Sequence, residues 1–177
     1  MSAAPIDLST LGRYSAKLSI SQVLAFFDRQ GVVMTRTMVQ NYVRVGVLPP
    51  LVNKRYYSQK HVVLLALIYS LKDTYTLDEL SRIFAYLNGE WVTDTTALAL
   101  YTQYVSLFTT TQTRLEALFD TTLADTSEPL TPDGHSPQAM SNMSHFLFCL
   151  LMGSVGSLAK ARMSTAPPPA EEKMNGH

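Results

Sequence analysis

Two neighbouring stretches of the sequence carry basic and amide side chains that could contact the phosphates and bases of a nucleic acid. Residues 35–46 have the pattern of a helix on which one arc of about 140° is polar and contains no acidic residue. Arginine can bind phosphate or guanine, and glutamine or asparagine can pair with adenine. A short basic loop follows two prolines. The candidate contact residues are Arg36, Thr37, Gln40, Asn41, Arg44, Lys54 and Arg55.

The opposite side of this helix is apolar and predicts how the helix is oriented. Val39 and Tyr42 lie on that side and are expected to be buried, while Gln40 and Arg44 should point outward. A solvated helix face usually mixes Asp and Glu with its Arg, and this polar arc has neither. For the helix taken alone, a plain solvated surface remains the alternative interpretation.

Helix-capping signals predict a fold that is mainly all-α. Thr76 and Glu79 have the spacing of a capping box. Proline cannot continue a helix, so Pro49 and Pro50 should end the second helix and force an extended exit. The expected helix caps are Ser19 or Ser21, Thr35, Ser58 and Thr76, with stops at Gly31 and at Asn88-Gly89. The only strand candidates are two short extended pieces flanking Asn53 and Lys54.

From about Ser19 to Leu87 the chain resembles the DNA-binding domain of MerR-type regulators, a winged helix-turn-helix. The stretch "YVRVGVLPP" (residues 42–50) is similar to the tyrosine and the "xGLLPP"-like end of that family's second helix. "RYYS" (55–58) resembles its wing arginine and the entry to its third helix, and "YTLDELSRIFAYL" (75–87) resembles its fourth helix. The closest resemblance is to an uncharacterised bacterial family, a domain of unknown function in small MerR-like proteins.

The resemblance implies a sequence-specific transcriptional regulator that binds double-stranded DNA as a homodimer. In such a domain the second helix enters the major groove and the wing holds flanking phosphates. The chain departs from the family pattern in three ways: Gln40 and Asn41 replace an arginine and a tyrosine, Val43 replaces an acidic residue, and the wing is shorter. The basic residues that remain to contact phosphate are Arg36, Arg44, Lys54 and Arg55.

The C-terminal half predicts one long helix from Asp94 to about Leu123, without Pro or Gly. Apolar residues recur on it at spacings of three and four and form a face broad enough for a bundle. The stripe comprises Leu98, Tyr101, Val105, Phe108, Gln112, Leu115 and Phe119. It could hold two copies together as a homodimer, pack on a final helix predicted from Pro137 to about Arg162, or do both.

The expected organisation is a lead-in (1–18), a MerR-like winged-helix domain (19–90), a helical dimerisation or bundle region (91–162) and a disordered, Pro-rich tail (163–177). Charge follows this division although the whole chain has a net charge of zero. Arg13–Glu90 contains ten Lys/Arg against five Asp/Glu, whereas Trp91–His177 contains four against eight. A basic module followed by a mildly acidic one fits DNA contact by the N-terminal region.

Signals for catalysis, cofactors and membranes are weak. The four histidines are scattered without metal-ligand spacing. A single cysteine, Cys149, excludes a disulfide framework and fits a reducing compartment. The most apolar run, Phe146–Val155, is shorter than the roughly 20 residues that cross a bilayer, and no secretory signal opens the chain. We therefore expect a cytoplasmic, non-enzymatic protein without metal, cofactor or membrane contact, and the sequence identifies no small-molecule effector.

The alternative function is a protein-interaction module that keeps the MerR-like fold without binding DNA. The basic wing discriminates between the two, since a protein adaptor would not need Lys54 and Arg55 beside Arg36 and Arg44.

Overall fold

The computed structural model describes residues 5–89 and 92–125, together with Gly153, Val155 and Gly156. In this part of the chain the fold is all-α, which confirms the predicted fold class. The α-helices of residues 5–125 are α1 (Ile20–Asp28), α2 (Arg36–Arg44), α3 (Gln59–Leu71), α4 (Leu77–Ala85) and α5 (Asp94–Asp125). Single-turn 3₁₀-helices at Leu11–Arg13 and Tyr86–Asn88 precede α1 and follow α4.

The chain divides into two compact units, Met1–Phe108 and Thr109–His177, and the boundary falls within α5. The final helix predicted from Pro137 to about Arg162 lies outside the described residues, apart from Gly153, Val155 and Gly156, which are helical. The predicted disordered tail, residues 163–177, also lies outside them.

The helices α1 to α4 begin at the predicted caps. Thr76 and Glu79 form the predicted capping box: Thr76 N donates to Glu79 Oε2 at 2.8 Å, and Glu79 N donates to Thr76 Oγ1 at 3.4 Å. At the start of α2, Thr35 Oγ1 accepts a hydrogen bond from Met38 N at 3.2 Å. The other two N-caps are Ser19 and Ser58. The side chains of Ser19, Thr35 and Thr76 each accept a hydrogen bond from a backbone N–H that the first helical turn leaves without an intrahelical partner.

Helix α1 stops where the sequence predicts. Gly31 adopts a left-handed conformation with φ +69°, which a residue with a Cβ rarely accepts. Beyond it the chain reverses, and Val32 N donates to Phe27 O at 3.0 Å, the long hydrogen bond of a Schellman motif. Helix α4 is followed directly by the second 3₁₀-turn, which ends at Asn88, the other predicted stop.

Helix α3 forms the centre of the core, as its broad apolar face predicts. Every residue from Lys60 to Ala66 is buried. A helix that is apolar on all sides must be surrounded by other elements. Those elements contribute Val23, Phe26 and Phe27 from α1, Val39 and Tyr42 from α2, and Leu80 and Phe84 from α4.

The lead-in segment (residues 5–18) packs into the same core, although it has no regular periodicity. Ile6, Leu8, Leu11 and Leu18 are all buried. The hydroxyl of Tyr101, from α5, donates to the carbonyl oxygen of Ile6 at 2.8 Å and is itself buried. The described part of the lead-in is therefore an integral layer of the domain rather than a loose leader.

Helix α5 begins against this domain. Ala97 and Tyr101 are buried in the core, and Val105 packs against it. Two leucines on other faces stay in solvent, Leu98 at 37% and Leu107 at 67% exposure. The residues of the stripe predicted on α5 therefore differ in their surroundings. Tyr101 is buried in the core of its own chain, whereas Leu98 is partly exposed to solvent. Among the described residues, no helix is long and apolar enough to pass through a membrane.

Candidate nucleic-acid interface

Helix α2 has the orientation predicted from its apolar side. Val39 and Tyr42 are buried, whereas Gln40 and Arg44 are exposed. Burial raises the pKa of the Tyr42 hydroxyl, as expected for a phenol packed on a core helix. The exposed side also carries Arg36 and Thr37 in the first helical turn and a half-buried Asn41.

The amide of Asn41 already has a partner within α2, unlike an amide that is free to contact a base. Its Oδ1 accepts a hydrogen bond from Arg44 Nη2 at 2.7 Å, three residues along the helix. One of the two lone pairs of this oxygen is therefore already used within the helix, and pairing with adenine through both polar groups would have to share the same oxygen with Arg44. The arrangement makes Asn41 a residue that orients Arg44, and it leaves Gln40 as the exposed amide of the helix.

The C-terminal end of α2 is held by residues that the sequence analysis did not single out. Gly46 follows the helix with φ +76°. Asn88 Nδ2 donates to the carbonyl oxygens of Gly46 and Val47 at 2.7 and 3.3 Å, and Ser81 Oγ donates to that of Val45 at 3.3 Å. These bonds satisfy carbonyl groups that a helix end leaves free. They fix the end of α2 to α4 and to the 3₁₀-turn after it.

The predicted basic loop is a tight hairpin, residues Val52–Tyr56. Val52 and Tyr56 exchange two backbone hydrogen bonds of 2.8 and 2.9 Å, and Arg55 N donates to Val52 O at 3.2 Å across the turn. The two central residues, Asn53 and Lys54, both have positive φ, +52° and +58°. Those signs are typical of a type I′ turn, in which Asn is common first and Gly second. A lysine stands here in the position that favours glycine.

The hairpin presents both of its cations to solvent. Lys54 and Arg55 are exposed, and the Arg55 guanidinium lies over the ring of Tyr56, 5.5 Å from its centroid. Tyr57, the next residue, is buried. Burial raises the pKa of the Tyr57 hydroxyl, and the positive charge of Arg36 opposes that rise.

His61 contacts the residues on either side of the hairpin, Pro49 before it and Tyr57 after it. Its Nδ1 accepts a hydrogen bond from Ser58 N at 3.0 Å, so the ring proton lies on Nε2, which faces Pro49 O at 3.3 Å. The ring also packs edge-on against Tyr57, with centroids 5.5 Å apart. Burial lowers the pKa of the imidazole, mainly by penalising its charged form. These contacts join the imidazole to the start of α3, to Pro49 and to Tyr57.

The seven predicted contact residues, five on α2 and two on the hairpin, are together called the basic surface. None of its four cations forms an ion pair with a carboxylate in the part of the chain that the structure describes. Neither α2 nor the hairpin contains an acidic residue. Within the same described ranges, His, Cys, Asp and Glu form no cluster suited to a metal ion. The basic surface comprises Arg36, Thr37, Gln40, Asn41, Arg44, Lys54 and Arg55.

Comparison with known proteins places this surface inside one family domain. Residues 15–104 match the family model described as "Domain of unknown function (DUF1836)". The match spans slightly more than half of the chain and covers α1 to α4, the hairpin and the first turns of α5. No curated protein and no solved structure matches the chain.

Proposed function

We propose that this chain, which belongs to the DUF1836 family, is a sequence-specific DNA-binding regulator that acts as a homodimer in the cytoplasm. The observation that carries the proposal is the basic surface itself. An acid-free helix face carries two exposed arginines, and the hairpin that follows it carries two further exposed cations. Unneutralised cations on rigid neighbouring elements are suited to the closely spaced phosphates of a duplex.

The order of elements supports a winged helix-turn-helix of the MerR type. Helix α1, a short connection and α2 are followed by a hairpin that returns the chain to the core helix α3. In that architecture the second helix lies in the major groove and the wing contacts the flanking backbone. Helix α2 takes the first position and the hairpin Val52–Tyr56 takes the second.

The side chains then have distinct roles in the proposed complex. Gln40 is exposed and holds no partner among the described residues, so it is the amide available to pair with adenine. Arg44, oriented by Asn41, is aimed at guanine or at a phosphate. Phosphates are contacted by Arg36 and Thr37, at the start of α2, and by Lys54 and Arg55 on the hairpin. These last contacts position the protein, while Gln40 and Arg44 supply the sequence preference.

Homodimer formation through α5 completes the proposal. One recognition helix covers only a few base pairs, whereas two on a two-fold axis read half-sites about one helical turn apart, or a multiple of it. Helix α5 has 32 residues, which corresponds to about 48 Å at 1.5 Å per residue. Its Leu107 is a large apolar side chain left mostly in solvent.

Selection of bound duplexes from a random DNA pool tests the proposal. We expect the wild-type protein to enrich a palindromic site, and Gln40→Ala to lose preference at one position of each half-site. The Lys54→Ala/Arg55→Ala double variant should weaken binding to all sequences and flatten the slope of log K against log salt by about two units. Gln103→Ala on α5 is a matched control because Gln103 is an exposed amide outside the basic surface. Absence of any enrichment by the wild-type protein would refute the proposal.

A second candidate, a protein-interaction module, has one observation in its favour. A groove of about 340 Å³ lies between α1 and the connection to α2, and one of its lining residues, Val33, is 80% exposed. A groove with exposed apolar lining can accept a side chain of another protein. A wild-type protein that binds no duplex at low salt, while Val33→Ser changes its self-association or its binding to another protein, would favour this candidate.

A further inference from the structure

The lead-in segment is tied to the hairpin strand by backbone hydrogen bonds. Leu18 N donates to Tyr57 O at 2.7 Å, and Tyr57 N donates to Leu18 O at 2.9 Å. This antiparallel pair makes the end of the lead-in a third extended piece beside the return arm of the hairpin. The domain thereby gains a short extra edge next to Tyr56 and Arg55.

A side chain of α3 holds the lead-in from the other side. Gln59 Nε2 donates to the carbonyl oxygens of Tyr14 and Leu11, at 3.1 and 3.4 Å. Gln59 stands only two residues after Tyr57, so the same short stretch that ends the hairpin fixes the lead-in at two separate points. The segment between these points, residues 15–17, is exposed.

Lys17 lies beside this edge and is exposed. It immediately precedes Leu18, whose side chain, like that of Tyr57, is buried in the core. The Leu18–Tyr57 pair therefore brings the backbone of Lys17 close to the return arm of the hairpin. The Arg55 guanidinium lies over Tyr56 on the same hairpin.

The backbone of Lys17 is fixed by a local side chain. Ser15 Oγ accepts a hydrogen bond from Lys17 N at 3.0 Å and donates one to Lys17 O at 2.9 Å. The lysine side chain itself forms no ion pair within the described ranges. Lys17 is therefore an exposed, unneutralised cation on a fixed backbone, close to the return arm of the hairpin.

We propose that Lys17 is a further phosphate-contacting residue, so that the lead-in segment forms a third arm of the basic surface, after α2 and the hairpin. The inference rests on the proposed function, since it names an additional residue of the same interface. Ser15 acts as a positioning residue, because it holds the backbone of Lys17 at the edge of the hairpin.

Salt-dependent binding of the full chain to a duplex recovered in the selection experiment tests this inference. Loss of one phosphate contact flattens the slope of log K against log salt by about 0.9. The ratio of wild-type to Lys17→Ala affinity should therefore fall about 3.5-fold between 50 and 200 mM salt. Lys17→Arg should restore the slope because it keeps the charge, and Arg114→Ala should leave it unchanged because that exposed cation lies on α5.

Ser15→Ala provides a second, independent variant. It keeps all charges but releases the Lys17 backbone, so we expect lower affinity at low salt with an unchanged unfolding midpoint. Wild-type slope and affinity in Lys17→Ala, when Lys54→Ala/Arg55→Ala flattens the slope, would overturn the inference and leave the proposed function intact. Failure of the wild-type protein to bind any duplex would instead overturn the proposed function, and this inference with it.

Discussion

Replacement of Lys54 by glycine should make the domain more stable and its DNA binding weaker at the same time. Lys54 has φ +58°, in the left-handed region, where a residue with a Cβ is strained by about 1–2 kcal/mol. Glycine removes that strain but loses more chain entropy on folding, about 0.5–1 kcal/mol. The net gain in the free energy of unfolding is therefore about 0–1.5 kcal/mol, each kcal/mol of which raises the melting temperature of a domain of this size by about 4–8 °C.

Lys54→Ala separates the strain from the charge. Alanine keeps the Cβ and therefore the strain, so its melting temperature should stay close to that of the wild type. Both variants lose the same cation, which lies exposed at the tip of the hairpin. If Lys54 contacts one phosphate, each variant should flatten the salt slope by about 0.9.

Thermal unfolding and salt-dependent DNA binding of the wild type, Lys54→Gly and Lys54→Ala test both parts of this prediction. A Lys54→Gly protein less stable than Lys54→Ala would contradict the left-handed geometry of the turn. A wild-type salt slope in both variants would remove Lys54 from the interface. Agreement on both measurements would mean that the chain tolerates strain at this position because a cation is needed there.

Three further predictions concern the core, pH and assembly. Val39→Asp should unfold the domain because it places an unpaired charge at a fully buried position, whereas Gln40→Ala should leave the denaturant midpoint nearly unchanged; the reverse result would contradict the orientation of α2. Burial lowers the pKa of His61 below its usual 6.5, with Lys60 also lowering it and Asp94 and the carbonyls of Pro49 and Pro50 opposing the shift. The unfolded chain therefore binds the extra proton first, and the stability held above pH 6.5 should fall as the pH drops from there toward the folded pKa. His61→Gln, which keeps a capping acceptor, should flatten that dependence in unfolding experiments between pH 5 and 8. Light scattering should find a homodimer for the wild type and a folded 19.7 kDa monomer for Leu107→Glu; a wild-type monomer at high concentration would exclude dimerisation.

Local signals made the helices and the face of α2 predictable. A cap such as Thr35 or Thr76 accepts a hydrogen bond from a backbone N–H three residues away. Both partners therefore lie within a short stretch of sequence, where the cap can be recognised. The apolar side of α2 is equally local, because Val39 and Tyr42 stand three residues apart on one helix. The short loop with extended pieces on both sides of Asn53 and Lys54 followed from Pro49-Pro50, which cannot continue the helix.

Contacts between distant residues could not be predicted from the sequence in the same way. Asn88 holds the carbonyl of Gly46, 42 residues earlier, and Tyr101 holds that of Ile6, 95 residues earlier. In each of these two pairs, neither residue belongs to a local sequence pattern that identifies its partner. The lead-in was underestimated for this reason, since its apolar side chains have no helical or strand period and acquire their place only from the assembled core.

The orientation of α5 shows a third kind of limit. Apolar residues occur on most sides of its first turns, so a stripe through Leu98 fits the sequence as well as one through Ala97. In the structure Ala97 is buried and Leu98 is 37% exposed. A broad apolar helix predicts that it packs on something, but its exact contact face depends on which neighbours are present.

The first turn of α3 shows how the elements around the basic surface are held to the core. The helix is apolar along most of its length, yet it opens with Gln59, Lys60 and His61. Gln59 binds carbonyl oxygens of the lead-in, and His61 lies at hydrogen-bonding distance from that of Pro49, at the base of the hairpin. Polar side chains at the end of a buried helix thus satisfy backbone groups that irregular segments leave unpaired.

Lys60, between them, joins the same turn to α5. Its buried ammonium donates to Gly89 O at 3.0 Å, and its backbone N–H donates to Asp94 Oδ1 at 2.7 Å, in the first turn of α5. One turn of helix therefore anchors the lead-in, the base of the hairpin and the start of α5. With the backbones of these elements fixed before binding, a duplex would have to order only the exposed ends of side chains such as Lys17 and Lys54. Because ordering of mobile groups opposes association, this rigid base would favour binding by a surface with only a few cations.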